Sequence, residues 1–163
     1  MNFSEVKSIT IPEGNVVKIE SGGITLCKIN TELVCKPVLS IKAYKGYVEN
    51  KMTVEANISG ISNSLINNVN GSKAFIIYKK ASTISDPYTL KETTSGRVLI
   101  KFKEFIGDTV TGAYIRTSAT NNTSTNSADY YYRAYINYTD LDGNTKNLYS
   151  NPIKAKYSTA ASI

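Results

Sequence analysis

The chain has 163 residues and a mass of 17.9 kDa, which suits one ordinary domain with a short appendage. Apolar residues make up 41% and charged residues 20%, so a buried core is within its means. Histidine is absent, which excludes Ser-His-Asp and Cys-His nucleophile pairs, His-ligated zinc and the HExxH motif. Twelve Tyr against two Met, with no Trp, point away from a helical bundle. The expectation is a non-enzymatic binding or structural module with no catalytic residues, no metal and no cofactor.

The formal charge of +6 is unevenly spread. Up to residue 36, Lys7, Lys18, Lys28 and Lys36 cancel Glu5, Glu13, Glu20 and Glu32, so the whole excess falls on residues 37–163. Such a domain could meet anionic polymers. Its basic residues are isolated apart from Lys79-Lys80, however, and charges that solubilise a surface and blunt strand edges account for them equally well. Cys27 and Cys35 are too sparse to define a disulfide framework, and free thiols are expected. No apolar run is long enough for a membrane helix or for an ordinary export signal, and neither membrane insertion nor nucleic-acid binding is expected.

In chain order, Ile9 and Ile11 alternate with polar neighbours before Pro12, and Glu13-Gly14 reads as a turn. Val17 and Ile19 alternate again, Ser21-Gly22-Gly23 supplies a tight reversal, and Ile24 and Leu26 return. Residues 8–29 thus read as a small β-hairpin unit of about three strands, too small to be stable alone. A connector follows, and the domain boundary is set at 36/37, giving a 1–36 attachment segment and a 37–163 β-domain.

In that domain, residues 38–43 alternate, and Met52, Val54, Ala56 and Ile58 keep a strict period of two. Asn70-Gly71 marks a turn, and 74–78 is apolar on both faces, as a central strand would be. Asp86-Pro87 breaks the chain before a short edge strand at Tyr88 and Leu90. Val98, Ile100 and Phe102 form another strand, and 109–115 a further short one. Residues 117–128, uncharged and rich in Asn, Ser and Thr, read as a long exposed loop. Tyr130, Tyr132, Ala134, Ile136 and Tyr138 then share one face, with Tyr131, Arg133, Tyr135 and Asn137 on the other. Asp142-Gly143 turns the chain into a last strand at 148–157. About seven strands spaced by turn signals predict an all-β, antiparallel β-sandwich preceded by the small hairpin unit.

Two stretches carry a resemblance. The run 130–135, the turn Asp142-Gly143-Asn144 and Tyr149-Ser150-Asn151 resemble the last two strands of Ig-like or fibronectin-type-III-like domains. That resemblance implies a tyrosine tied to a neighbouring corner, a role for Tyr130 or Tyr132. No Cys-Trp-Cys signature accompanies it. The stretch Ile9-Thr10-Ile11-Pro12-Glu13-Gly14, with Gly22-Gly23-Ile24-Thr25-Leu26-Cys27, is similar to the N-terminal segment of virion structural proteins from phages of Gram-positive bacteria. Those segments commonly end in Leu-Trp, where this chain has Leu26-Cys27.

The resemblance implies a virion or phage-tail-like particle, assembled in the bacterial cytoplasm. The chain would be docked there in several symmetric copies against other structural proteins. Assembly contacts would fall on Ile9, Ile11, Pro12, Val17, Ile19, Ile24 and Leu26, by strand addition to a neighbour; covering one end of the sandwich is the plainer alternative for the same hairpin. The outward domain would decorate the particle or touch cell-wall polysaccharide. A second function class is an independent carbohydrate- or cell-wall-binding adhesion module, with Tyr131, Arg133, Tyr135 and Tyr149 as its ligand face. Cross-strand tyrosine pairing without any ligand is the plainer reading of those four. Asp140 and Asp142 lack the spacing of a calcium loop and read as turn residues.

Overall fold

A computed structural model describes residues 15–20, 23–28, 33–93 and 98–163. The chain divides into two compact units, 1–33 and 34–163. In the first, β1 (Asn15–Glu20) pairs antiparallel with β2 (Gly23–Lys28), Val17 opposite Leu26 and Ile19 opposite Ile24. Glu20 lies opposite Gly23, so the register of the two strands is that of a tight antiparallel pair. The expected first strand with Ile9 and Ile11, the turn at Pro12 and residues Ser21-Gly22 lie outside the described residues.

The second unit is an antiparallel sandwich. One sheet runs β3 (Cys35–Lys45), β4 (Lys51–Ile61), β8 (Gly112–Thr123), β7 (Ile106–Asp108). The other runs β10 (Thr145–Tyr149), β9 (Tyr130–Thr139), β5 (Ala74–Lys80), β6 (Val98–Phe102), with β11 (Ile153–Ala155) also on β9. Taken in chain order these are the ABED and GFC sheets of the immunoglobulin sandwich, with β6 added beside C. The all-β antiparallel sandwich read from the periodicity, and the Ig-like form implied by the resemblance of its last strands, are what is observed.

The core lies between the sheets. Met52, Val54, Ala56 and Ile58 of β4 and Ala113, Ile115 and Ala119 of β8 face Ala74 and Ile76 of β5 and Tyr132, Ala134 and Ile136 of β9. Strict alternation on β4 and β9 is what lets each strand bury one row of side chains and present the other. The Asn70-Gly71 turn has positive φ at both residues, closed by reciprocal Val69–Ser72 backbone hydrogen bonds. At Gly60 the backbones come closer still. Its φ is +74°, and a Cβ there would lie 2.3 Å from the Lys36 carbonyl oxygen. Near the other end of β3, the backbone N–H of Lys45 donates to the Ala161 carbonyl, and the N–H of Ile163 donates to the Lys45 carbonyl. That pairing runs parallel to β3.

Four segments depart from the sequence reading. Residues 117–123 are not loop but the second half of β8, a strand without apolar alternation because its inward positions include small Ala119 and polar Asn122. Tyr88 belongs to a 3-10 turn (Pro87–Thr89) capped by the Asp86 carboxylate, not to an edge strand. The final strand begins at Thr145 and breaks at 150–152, giving β10 and β11 on the same neighbour. The strand expected at 109–115 starts at Gly112, while β7, too short to show a period, precedes it.

Candidate functional site

The aromatic face of β9 is where the sequence placed a ligand surface, and it is sealed. Tyr135 is only 3% exposed, packed with Phe75, Ile77 and Leu90, and its ring stacks on Tyr149 at 5.0 Å between centroids. Residues 81–92 lie over it as a cover. Arg133 fastens that cover: its guanidinium donates to the carbonyls of Ser150 at 2.8 Å, Tyr88 at 2.7 Å and Leu90 at 3.2 Å. The Tyr149 hydroxyl donates to the Glu92 carboxylate, and burial together with that bond pushes its pKa up. Tyr131 stays partly exposed at the far end, near Lys80, Asp129 and Lys154. Tyr135 is therefore corrected from a ligand candidate to a member of a second small core, and Arg133 to the fastener of its cover, with Nε and Nη1 bonded to backbone. Sequence periodicity finds which face a residue occupies, not whether a distant segment lies over it.

A polar node closes one corner of the main core. Asn122 is fully buried, and its side-chain amide donates to the carbonyls of Ala128 and Ala155 and to the Tyr132 hydroxyl. Its carbonyl oxygen accepts from the Tyr157 N–H at 2.6 Å. Tyr132, not Tyr130, is thus the tyrosine tied to the strand corner, and burial pushes its hydroxyl up to about 12. Asn122 is structural; in sequence it stood in a run that reads as solvated.

The outer face of β3, β4 and β8 is accessible around Ser40, Tyr114 and Arg116, while Tyr44, Thr53 and Glu55 on it are buried. Strand register builds it in rows: Tyr44, Thr53 and Ser118; Lys42, Glu55 and Arg116; Ser40, Asn57 and Tyr114, with Ile106 of β7 at the edge. Glu55 is 8% exposed and occupied, taking the Tyr44 hydroxyl and the Lys42 ammonium, each at 3.0 Å, with Asn57 at 3.4 Å. Burial works to raise its pKa, and the bonds from Lys42 and Tyr44 outweigh it, leaving the carboxyl below its usual range. Tyr44 responds in the opposite direction, raised by burial and by its bond to Glu55.

Arg116 differs from both. Its guanidinium carbon lies 4.4 Å from the Tyr47 ring centroid and 4.6 Å from that of Tyr114, and it donates to the Tyr114 hydroxyl. Among the described residues it has no carboxylate partner. Beside it runs a groove of about 390 Å³ lined by Val38, Ser40, Asn57, Ser59, Gly112 and Tyr114. The groove exists because Ser59 and Gly112 are small where Val38 and Tyr114 stand up. None of these residues was singled out from the sequence. The signal was present only as polar-aromatic alternation opposite the core positions of β4 and β8.

Elsewhere, Asp140 makes a turn rather than a calcium loop. It accepts the N–H groups of Asp142 and Asn144 and pairs with Lys146 at 2.6 Å. The Lys146 bond, with that from Asn144, lowers its pKa to about 2. Cys35 is a free thiol. No group of three His, Cys, Asp or Glu among the described residues could hold a metal, and no helix there is long and apolar enough to cross a membrane. Set against known protein families, curated proteins and solved structures, the chain matches none.

Proposed function

We propose that the chain is a non-enzymatic structural or decorating component of a phage virion or phage-tail-like particle. It docks through residues 1–33 and presents its Ig-like sandwich outward. The observation that carries this reading is the division into a hairpin unit and a sandwich with its own closed core. A lone two-stranded ribbon is at best marginally stable in water, so its six-residue strands need a covering surface. The glycine hairpin and its resemblance to particle-docking segments favour a neighbouring subunit as that surface.

Sedimentation velocity over a concentration series tests it. The intact chain is expected to form a discrete multimer that collapses to monomer when Val17 and Ile24 are both replaced by Lys, with the sandwich melting unchanged. An intact chain that stays monomeric, and whose sandwich loses stability on the same double replacement, would instead mean that the hairpin covers its own domain.

The second reading, an independent carbohydrate- or cell-wall-binding module, draws on the open face of β3, β4 and β8 in place of the sealed one on β9.

A further inference from the structure

We propose that the outer face of β3, β4 and β8 binds a carboxylate-bearing polysaccharide, its sugar rings in the groove between Val38 and Tyr114 and one acid group on Arg116. This goes beyond the docking reading and does not depend on it.

Charge complementarity comes first. Lys42, Glu55 and Arg116 sum to a single positive charge. Glu55 is already satisfied by Lys42 and Tyr44, so among the described residues the charge of this row without an acidic partner is the guanidinium. Arginine presents a planar fork that matches a carboxylate with two parallel hydrogen bonds. Two tyrosine rings flank that fork within 4.6 Å, so a flat carboxylate fits its edge.

The groove then selects the rest of the ligand. Its lining alternates hydroxyl and amide groups (Ser40, Asn57, Ser59, Thr111) with the apolar ends Val38 and Tyr114. Sugars offer that same mixture of hydroxyls and C–H faces. Its volume of about 390 Å³ lies within the range of small-ligand sites. β4 and β8 are paired on both sides, so the groove floor is closed to strand addition, and the free edge of β3 lies only at the groove's rim, at Val38 and Ser40. Tyr47, 51% exposed in the β3–β4 turn, supplies a second ring beside the acid site.

Because the whole domain is basic, the test must separate this site from general attraction. The full chain, uniformly ¹⁵N-labelled at physiological salt, is titrated with a galacturonate trisaccharide, a galactose trisaccharide and a glycerol-phosphate oligomer. Saturable shifts at Ser40, Asn57 and Tyr114 are expected with the uronate. Binding should weaken about tenfold or more for Arg116→Lys, which keeps the charge and loses the fork. Tyr47→Ala, an exposed substitution that reads the site even if Arg116→Lys misfolds, should weaken it likewise. Lys101→Gln, on the other sheet, should leave it unchanged.

Three results overturn the proposal: equal weakening by Lys101→Gln and Arg116→Lys, equal or tighter binding of the neutral or phosphodiester ligand, or no saturable shift on this face. The last would leave the face to a protein partner.

Discussion

The two outer faces of the sandwich start from the same chemistry and end differently. Each sets an arginine of a central strand among tyrosines, Arg133 with Tyr88 and Tyr149, Arg116 with Tyr47 and Tyr114. Over β5 and β9 the connection 81–92 folds back, Leu90 fills the space above Phe75 and Tyr135, and Arg133 spends its donors on three carbonyls. Over β3, β4 and β8 no described segment does this, and the same side chains stay addressable. What distinguishes a stabilising face from a recognition face is whether a connection covers it, not the residues on its strands.

That distinction can be broken experimentally, starting where the effect is largest. Leu90→Ala empties a fully buried site under the cover and should cost about 3 kcal/mol, read as a lower urea midpoint at unchanged slope. Arg133→Gln removes three charge-assisted bonds to backbone carbonyls that hold the cover in place. It should cost about 2 kcal/mol, whereas Arg116→Ala should leave the midpoint in place. If the two arginines prove equally costly, the contrast between faces fails.

The smallest effect is in acid. Glu55 has a folded pKa below its ordinary value, so its contribution is complete above that value and is lost as the pH falls through the folded one. Melting temperatures followed from about pH 6 to about pH 3 should fall less steeply for Glu55→Gln than for the parent. An identical acid limb would mean that the carboxylate's bonds to Lys42 and Tyr44 add nothing to stability.

Most of the sandwich was legible because a strand with one buried face must alternate. Met52 to Ile58 does so without exception and Tyr130 to Tyr138 keeps its inward row while adding Tyr131 and Tyr135 on the other face; Asn70-Gly71 and Asp142-Gly143 punctuate them with residues suited to positive φ. The second half of β8 was hidden because its burial rests on Asn122, whose cost is met by partners from two other stretches of chain, 128–132 and 155–157. Local composition carries no trace of them. The cover over β9 was illegible for the same reason: nothing in 81–92 announces where it will lie. The open face was passed over because Lys42, Glu55 and Arg116 read singly as ordinary solvated charges; register alone sets them in a row.

The pairing of residues 161–163 alongside Lys45 bears on how the domain resists traction. Residue 34 leaves from one end of β3, and Ile163 lies at the other, running in the same direction. A pull between those two points is directed along both segments. Their hydrogen bonds are then strained together in shear rather than opened one after another, so the sandwich can be tugged from these points without unzipping from its edge.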